Sequence, residues 1–180
     1  MAAESKSRKE GGVPFREDLL ATERFLFLGT VEGKVQRLSR ALEERKPPFL
    51  SLREALRIDL ETGEAVESPQ FLVNLDQVVL AHEFVDLTGD DGWKRLSREK
   101  EFLQVQAETR GRFSFRVTAF LPRTALASPL LEEKPLFVFR DPEIRIRPEP
   151  AGPARERLEG LSYVIVRKPW VSNLFGLGPA

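Results

Sequence analysis

Apolar residues along this chain recur mostly at every second position, the period of a β-strand with one face in a core. The first clear run is Phe25-Leu26-Phe27-Leu28-Gly29-Thr30-Val31. Gly29 and Gly33 flank Val31 at two positions on either side, which predicts a bulge or sharp bend, as where a strand curls into a small barrel. Residues 49–52 form a brief strand, and Leu56, Ile58 and Leu60 alternate with Arg57 and Asp59 up to the turn Glu61-Thr62-Gly63-Glu64. Phe71-Leu72-Val73 returns, residues 74–77 turn again, and Val78, Leu80, His82 and Phe84 alternate. After a break at 88–92, Leu103, Val105 and Ala107 lead to the turn Thr109-Arg110-Gly111, and Phe113, Phe115, Val117, Ala119 and Leu121 follow. Helical signals are short: one turn around 16–23, one over 37–44 stopped by Pro47-Pro48, and a charged stretch over 93–100.

This pattern predicts a mostly β protein made of two tandem small antiparallel β-barrels with short helical turns. Residues 1–12 read as a disordered tail, 13–88 as the first barrel, 89–100 as a linker and 101–180 as the second barrel with a C-terminal docking segment. The two barrels read as an internal repeat. Pro48 falls on Pro135, Phe49 on Leu136, Arg53 on Arg140 and Glu54 on Asp141. Further on, Phe71-Leu72-Val73 falls on Tyr163-Val164-Ile165 and Val78-Val79 on Trp170-Val171; upstream, residues 31–35 face 117–121.

Composition narrows the chemistry. The 180 residues carry 28 basic and 28 acidic side chains, so a uniformly basic nucleic-acid binder is disfavoured. The charge is unevenly placed: residues 1–90 hold 12 basic and 17 acidic groups, residues 91–180 hold 16 and 11. The two halves thus carry −5 and +5, complementary enough to pack on each other. With no cysteine and one histidine, His82, thiol catalysis, Cys-ligated metals and multi-histidine sites are excluded. No stretch has the roughly 18 consecutive apolar residues of a membrane span and no apolar segment follows the charged N-terminus, so a cytoplasmic location without membrane insertion is expected.

The runs Arg37-Leu38-Ser39…Leu42, residues 49–55, Phe71-Leu72-Val73-Asn74 and Val78-Val79-Leu80 resemble an uncharacterised bacterial family of small β-barrel proteins that itself looks Sm-like. The resemblance covers roughly residues 28–85 and reaches the second half through the repeat. It implies the fold, while the Sm RNA site is not carried over. Residues 31–35 lack the following Asp…Asn pair, and Asn74-Leu75-Asp76 lacks an Arg-Gly. Arg53 and Arg57 match the Arg-x-x-x-Arg of the cyclic-dinucleotide-binding PilZ domains, but residues 86–92 miss that family's second motif by a Thr for Ser and one extra residue.

No phosphate-binding glycine loop, nucleophile elbow or carboxylate pair at catalytic spacing is present, and no catalytic residue, cofactor or metal site is expected. His82 reads as a half-buried, hydrogen-bonded core histidine, and Asp86, Asp90 and Asp91 as a solvated turn with an N-cap. Trp170, Leu174 and Phe175, behind Pro169 near the chain end, are the candidate partner-binding anchors. The leading expectation is a non-catalytic protein-interaction or scaffold module that binds another protein or itself. The alternative is an RNA or cyclic-dinucleotide binder using Arg53, Arg57, Arg110, Arg112, Arg116, Arg145 and Arg147.

Overall fold

The computed structural model describes residues 16–34, 37–44, 48–84, 101–126 and 135–179. The 1–12 tail, the 89–100 linker, Asp86, Asp90 and Asp91 lie outside the described residues. Ten strands form one antiparallel sheet: β1 (Asp18–Ala21), β2 (Phe25–Val31), β3 (Phe49–Asp59), β4 (Ala65–Asn74), β5 (Leu80–Glu83), β6 (Phe102–Thr109), β7 (Ser114–Pro122), β8 (Leu136–Arg147), β9 (Tyr163–Arg167) and β10 (Val171–Pro179). Their order is β10-β6-β7-β8-β9-β5-β1-β2-β3-β4. The one α-helix among the described residues, α1 (Leu38–Glu44), buries Leu38, Ala41 and Leu42, and short 3-10 turns join other strands. The chain is mostly β, as its period-2 pattern implies. The sheet is not closed, however: it ends at β10 and at β4 and runs continuously through both halves at the β5–β9 pair.

Strand alternation sorts the core onto the two faces of this sheet. In β1, Leu19 and Ala21 join a large cluster with Phe115, Phe139 and Val164, while Leu20 joins a second cluster with Leu42, Leu50 and Leu52. The neighbouring strands divide the same way, Leu80 from Ala81 in β5 and Val164 and Val166 from Ile165 in β9. The middle of the sheet is therefore buried on both sides, which explains why residues 18–21 form a strand where a helical turn over 16–23 was expected. Asp18-Leu19-Leu20-Ala21 is buried throughout, so it has no polar face and no alternation to read.

The strand order runs twice through one scheme, β5-β1-β2-β3-β4 and β10-β6-β7-β8-β9. Registers agree in detail. Thr30 pairs with Arg53 after a shift in the β2–β3 ladder, and Phe120 pairs with Arg140 after a shift in β7–β8. Directly after each arginine the backbone turns to positive φ, 48° at Glu54 and 48° at Asp141. This bend exchanges the faces: Leu50, Leu52 and Ala55 enter one cluster, Leu56 and Ile58 the other. Gly29 sits opposite it because a Cβ there would come within 2.9 Å of the Ala55 Cβ.

Three of the expected correspondences shift. Counting from Arg53 and Arg140 through the ladders, Phe71 matches Val164 rather than Tyr163, Val78 matches Val171, and Val31 matches Leu121 rather than Val117. The first two are one-residue slips in apolar runs that carry no alternation. The third is a four-residue slip, which leaves every side chain on its own face and is invisible to a period-2 pattern.

Candidate interaction surface

β10 follows the 3-10 turn Lys168–Trp170, where Pro169 occupies a position that requires no N–H donor. The Arg110 N–H donates to the Trp170 carbonyl at 2.8 Å, and its guanidinium lies 5.9 Å from the Trp170 ring centroid. β10 pairs only with β6, placing Leu174 opposite Ala107 and Phe175 opposite Gln106. The three predicted anchors are thereby divided. Trp170 and Leu174 pack partly buried on the large cluster, whereas Phe175 is exposed together with Leu177.

The other end of the sheet is β4, which pairs only with β3. Leu72 stands exposed on it, and Phe49 is exposed at the start of β3 beside it. Among the described residues, Phe49, Leu72, Phe84, Phe175 and Leu177 are the large apolar side chains left exposed, and all but Phe84 lie on or next to a sheet end. Phe49 and Leu72 were not singled out from sequence. The available signal was the unbroken triplet Phe71-Leu72-Val73, which places an apolar side chain on each face of a strand.

The predicted arginines do not gather into one cationic face. Arg57 lies 4.9 Å from the Phe25 ring centroid and 5.7 Å from that of Phe71, while Arg53, beyond the Glu54 bend, is exposed. Arg112 pairs with Glu61, Arg116 with Glu108 at 2.5 Å and Arg145 with Glu143 at 2.6 Å. Arg145 and Arg147 line a cleft of about 710 Å³, but Glu143, Glu149 and Glu159 line it too. Phosphate contacts require uncompensated cations, and three of the seven, Arg112, Arg116 and Arg145, are already matched by carboxylates.

Two buried polar groupings serve the fold. His82 is buried and donates from Nδ1 to the Tyr163 carbonyl at 2.8 Å, which fixes the Nδ1–H tautomer. Burial holds its pKa below the ordinary histidine value, so the ring is neutral, packed against Phe84 and Tyr163. In the second grouping Lys34 Nζ bridges Asp18 at 2.5 Å and Glu83 at 2.8 Å. Asp18 also accepts from the Val31 N–H at 3.0 Å and Glu83 from the Leu38 N–H at 3.0 Å, tying the β2–α1 connection to β1 and β5. Burial pushes the Asp18 carboxyl above its usual range. Burial opposes the charge on Lys34 as well, but hydrogen bonds to Asp18 and Glu83 raise its pKa overall. Among the described residues no group of three potential ligands is placed to hold a metal, and no helix is long and apolar enough to cross a membrane.

Compared with known proteins, the chain matches no family model, no curated protein and no solved structure.

Proposed function

We propose that this chain is a non-catalytic protein-interaction or scaffold module of the bacterial cytoplasm, built from two duplicated, Sm-like small β units that offer their free strand edges to a partner. The observation that carries this reading is the position of the exposed apolar residues. Leu72 with Phe49, and Phe175 with Leu177, stand at the two ends of the sheet, where among the described residues the backbone N–H and C=O groups have no neighbouring strand. Exposed edges that carry apolar side chains recruit a further strand, the backbone supplying affinity and alternate side chains supplying specificity. The matching strand orders, bends and ladder shifts of the two halves support duplication.

Co-purification from the source cell tests the reading. A protein recovered in stoichiometric amount with the wild-type chain, and lost with both Leu72→Lys and Phe175→Lys, is the expected result. Recovery of RNA or a cyclic dinucleotide instead, with a steep salt dependence and no sensitivity to those two changes, overturns it.

A further inference from the structure

The β5–β9 pair joins the second half to the first, and its counterparts are the two ends of the sheet. β9 corresponds to β4 and β5 to β10, so among the described residues the sheet ends in one unused copy of each strand that makes its own internal junction. At that junction Leu80 lies opposite Val166 and Ala81 opposite Ile165, and the Arg167 N–H donates to the Val79 carbonyl at 3.0 Å. Leu136 and Ile165, from the second half, are thereby inserted into the first-half cluster with Leu42, Leu52 and Ala81.

Counting through the ladders from Arg53 and Arg140, Phe49 corresponds to Leu136, Leu72 to Ile165, and Phe175 to His82. The members at the internal junction are buried: Leu136 is 7% exposed, Ile165 2% and His82 4%. Their counterparts are open, Phe49 at 50%, Leu72 at 67% and Phe175 at 46%. Leu136, Ile165 and His82 at the internal junction therefore each have an uncovered equivalent at a sheet end. Charge agrees: the internal junction sets a −5 half against a +5 half, and β4 and β10 belong to halves of those same opposite signs.

We propose that this chain assembles head to tail with itself, β4 of one copy pairing antiparallel with β10 of the next in the register of β9 on β5. That register places Leu72 opposite Leu174 and Val73 opposite Asn173 of the next copy. Phe49 and Leu72 then enter the neighbour's second-half core beside Leu174, as Leu136 and Ile165 enter the first-half core beside Ala81. Such a contact is heterologous, so it repeats from copy to copy, giving a ring where its rotation closes and an open filament where it does not. This inference names the partner in the interaction reading above and rests on it.

Because the chain has no cysteine, single cysteines report the pairing directly. Opposed residues across an antiparallel pair have Cβ atoms roughly 4.5–5.5 Å apart, close to disulfide geometry. Leu72→Cys mixed with Leu174→Cys is expected to give a disulfide-linked pair of chains under mild oxidation, while neither variant links to itself. Light scattering is expected to give a mass that is a multiple of 20.5 kDa for the wild type and 20.5 kDa for Leu72→Lys, with the same circular dichroism. Self-linking of Leu72→Cys alone, or a wild-type mass of 20.5 kDa at high concentration, overturns the head-to-tail contact. If that contact fails while another protein still co-purifies in an edge-dependent way, the interaction reading survives; if neither depends on the edges, both fall.

Discussion

The two halves share a frame but hold it with different chemistry. In the first, Asp18 and Glu83 face each other across the β1–β5 ladder, and Lys34 bridges both. In the second, the matching positions are Val105 and Gly176, paired in the β6–β10 ladder, with Val105 in the apolar cluster. At these matching positions one strand pair carries a buried ion network and the other apolar packing. The ion network also organises the β2–α1 connection through the Val31 and Leu38 N–H groups. Strand order thus follows from ladder geometry and bends that both halves possess, whereas the means of stabilisation varies between them.

The largest expected effect falls on the ionic side. Lys34→Met leaves two buried carboxylates facing each other without a cation and is expected to cost about 3–5 kcal/mol in chemical denaturation. A loss under about 1 kcal/mol would show that the halves are not held differently at this point. Next come the matched core positions. Leu52→Ala and Phe139→Ala, fully buried counterparts on β3 and β8, are expected to cost about 2–5 kcal/mol each. If only one of them were costly, one half would be dispensable to the core and the equivalence broken.

A smaller effect separates the two bends. A non-glycine residue at positive φ is strained, and Asp tolerates it better than Glu. Glu54→Gly is therefore expected to raise stability by about 0.5–1 kcal/mol and Asp141→Gly by less, measured as a shift in denaturation midpoint. Loss of stability in both would mean the bends are held by their side chains.

The remaining comparison is between His82 and its counterpart Phe175. The folded pKa of His82 lies below the ordinary value near 6.5, so the unfolded chain binds its proton more readily. The contribution of neutral His82 is complete above that value and declines as pH falls through and below it, ending once the folded pKa is passed. Denaturation at pH 7.5 and pH 5.5 is expected to show this decline in the wild type, and His82→Phe is expected to remove that share of it. An unchanged pH dependence in His82→Phe would assign the decline to other groups.

How far the sequence speaks depends on which physical signal each element carries. β2, β7 and the hairpin turns at Gly63 and Gly111 were readable because alternation and positive-φ glycines mark them locally. Arg53 and Arg140, aligned in the sequence, each precede a positive-φ residue that the sequence pattern does not mark. β1 was misread because burial on both faces erases alternation. The division of Trp170, Leu174 and Phe175 between core and edge required knowing that β10 ends the sheet, since an edge is defined by what fails to pair with it. The ion network joins Asp18, Lys34 and Glu83 across 65 residues of chain, a proximity with no local mark.

One pair of amides tests the central claim, that the open ends of the sheet are unused copies of its internal junction. The Arg167 N–H donates to Val79 across that junction, and Asn74 is its counterpart on the free β4 edge. Hydrogen exchange resolved at these two amides is expected to find Arg167 protected at every protein concentration. Asn74 should exchange fast in dilute solution and approach the protection of Arg167 as concentration rises. Fast exchange at Asn74 at all concentrations, or exchange at Arg167 as fast as at Asn74 in dilute solution, would contradict the account.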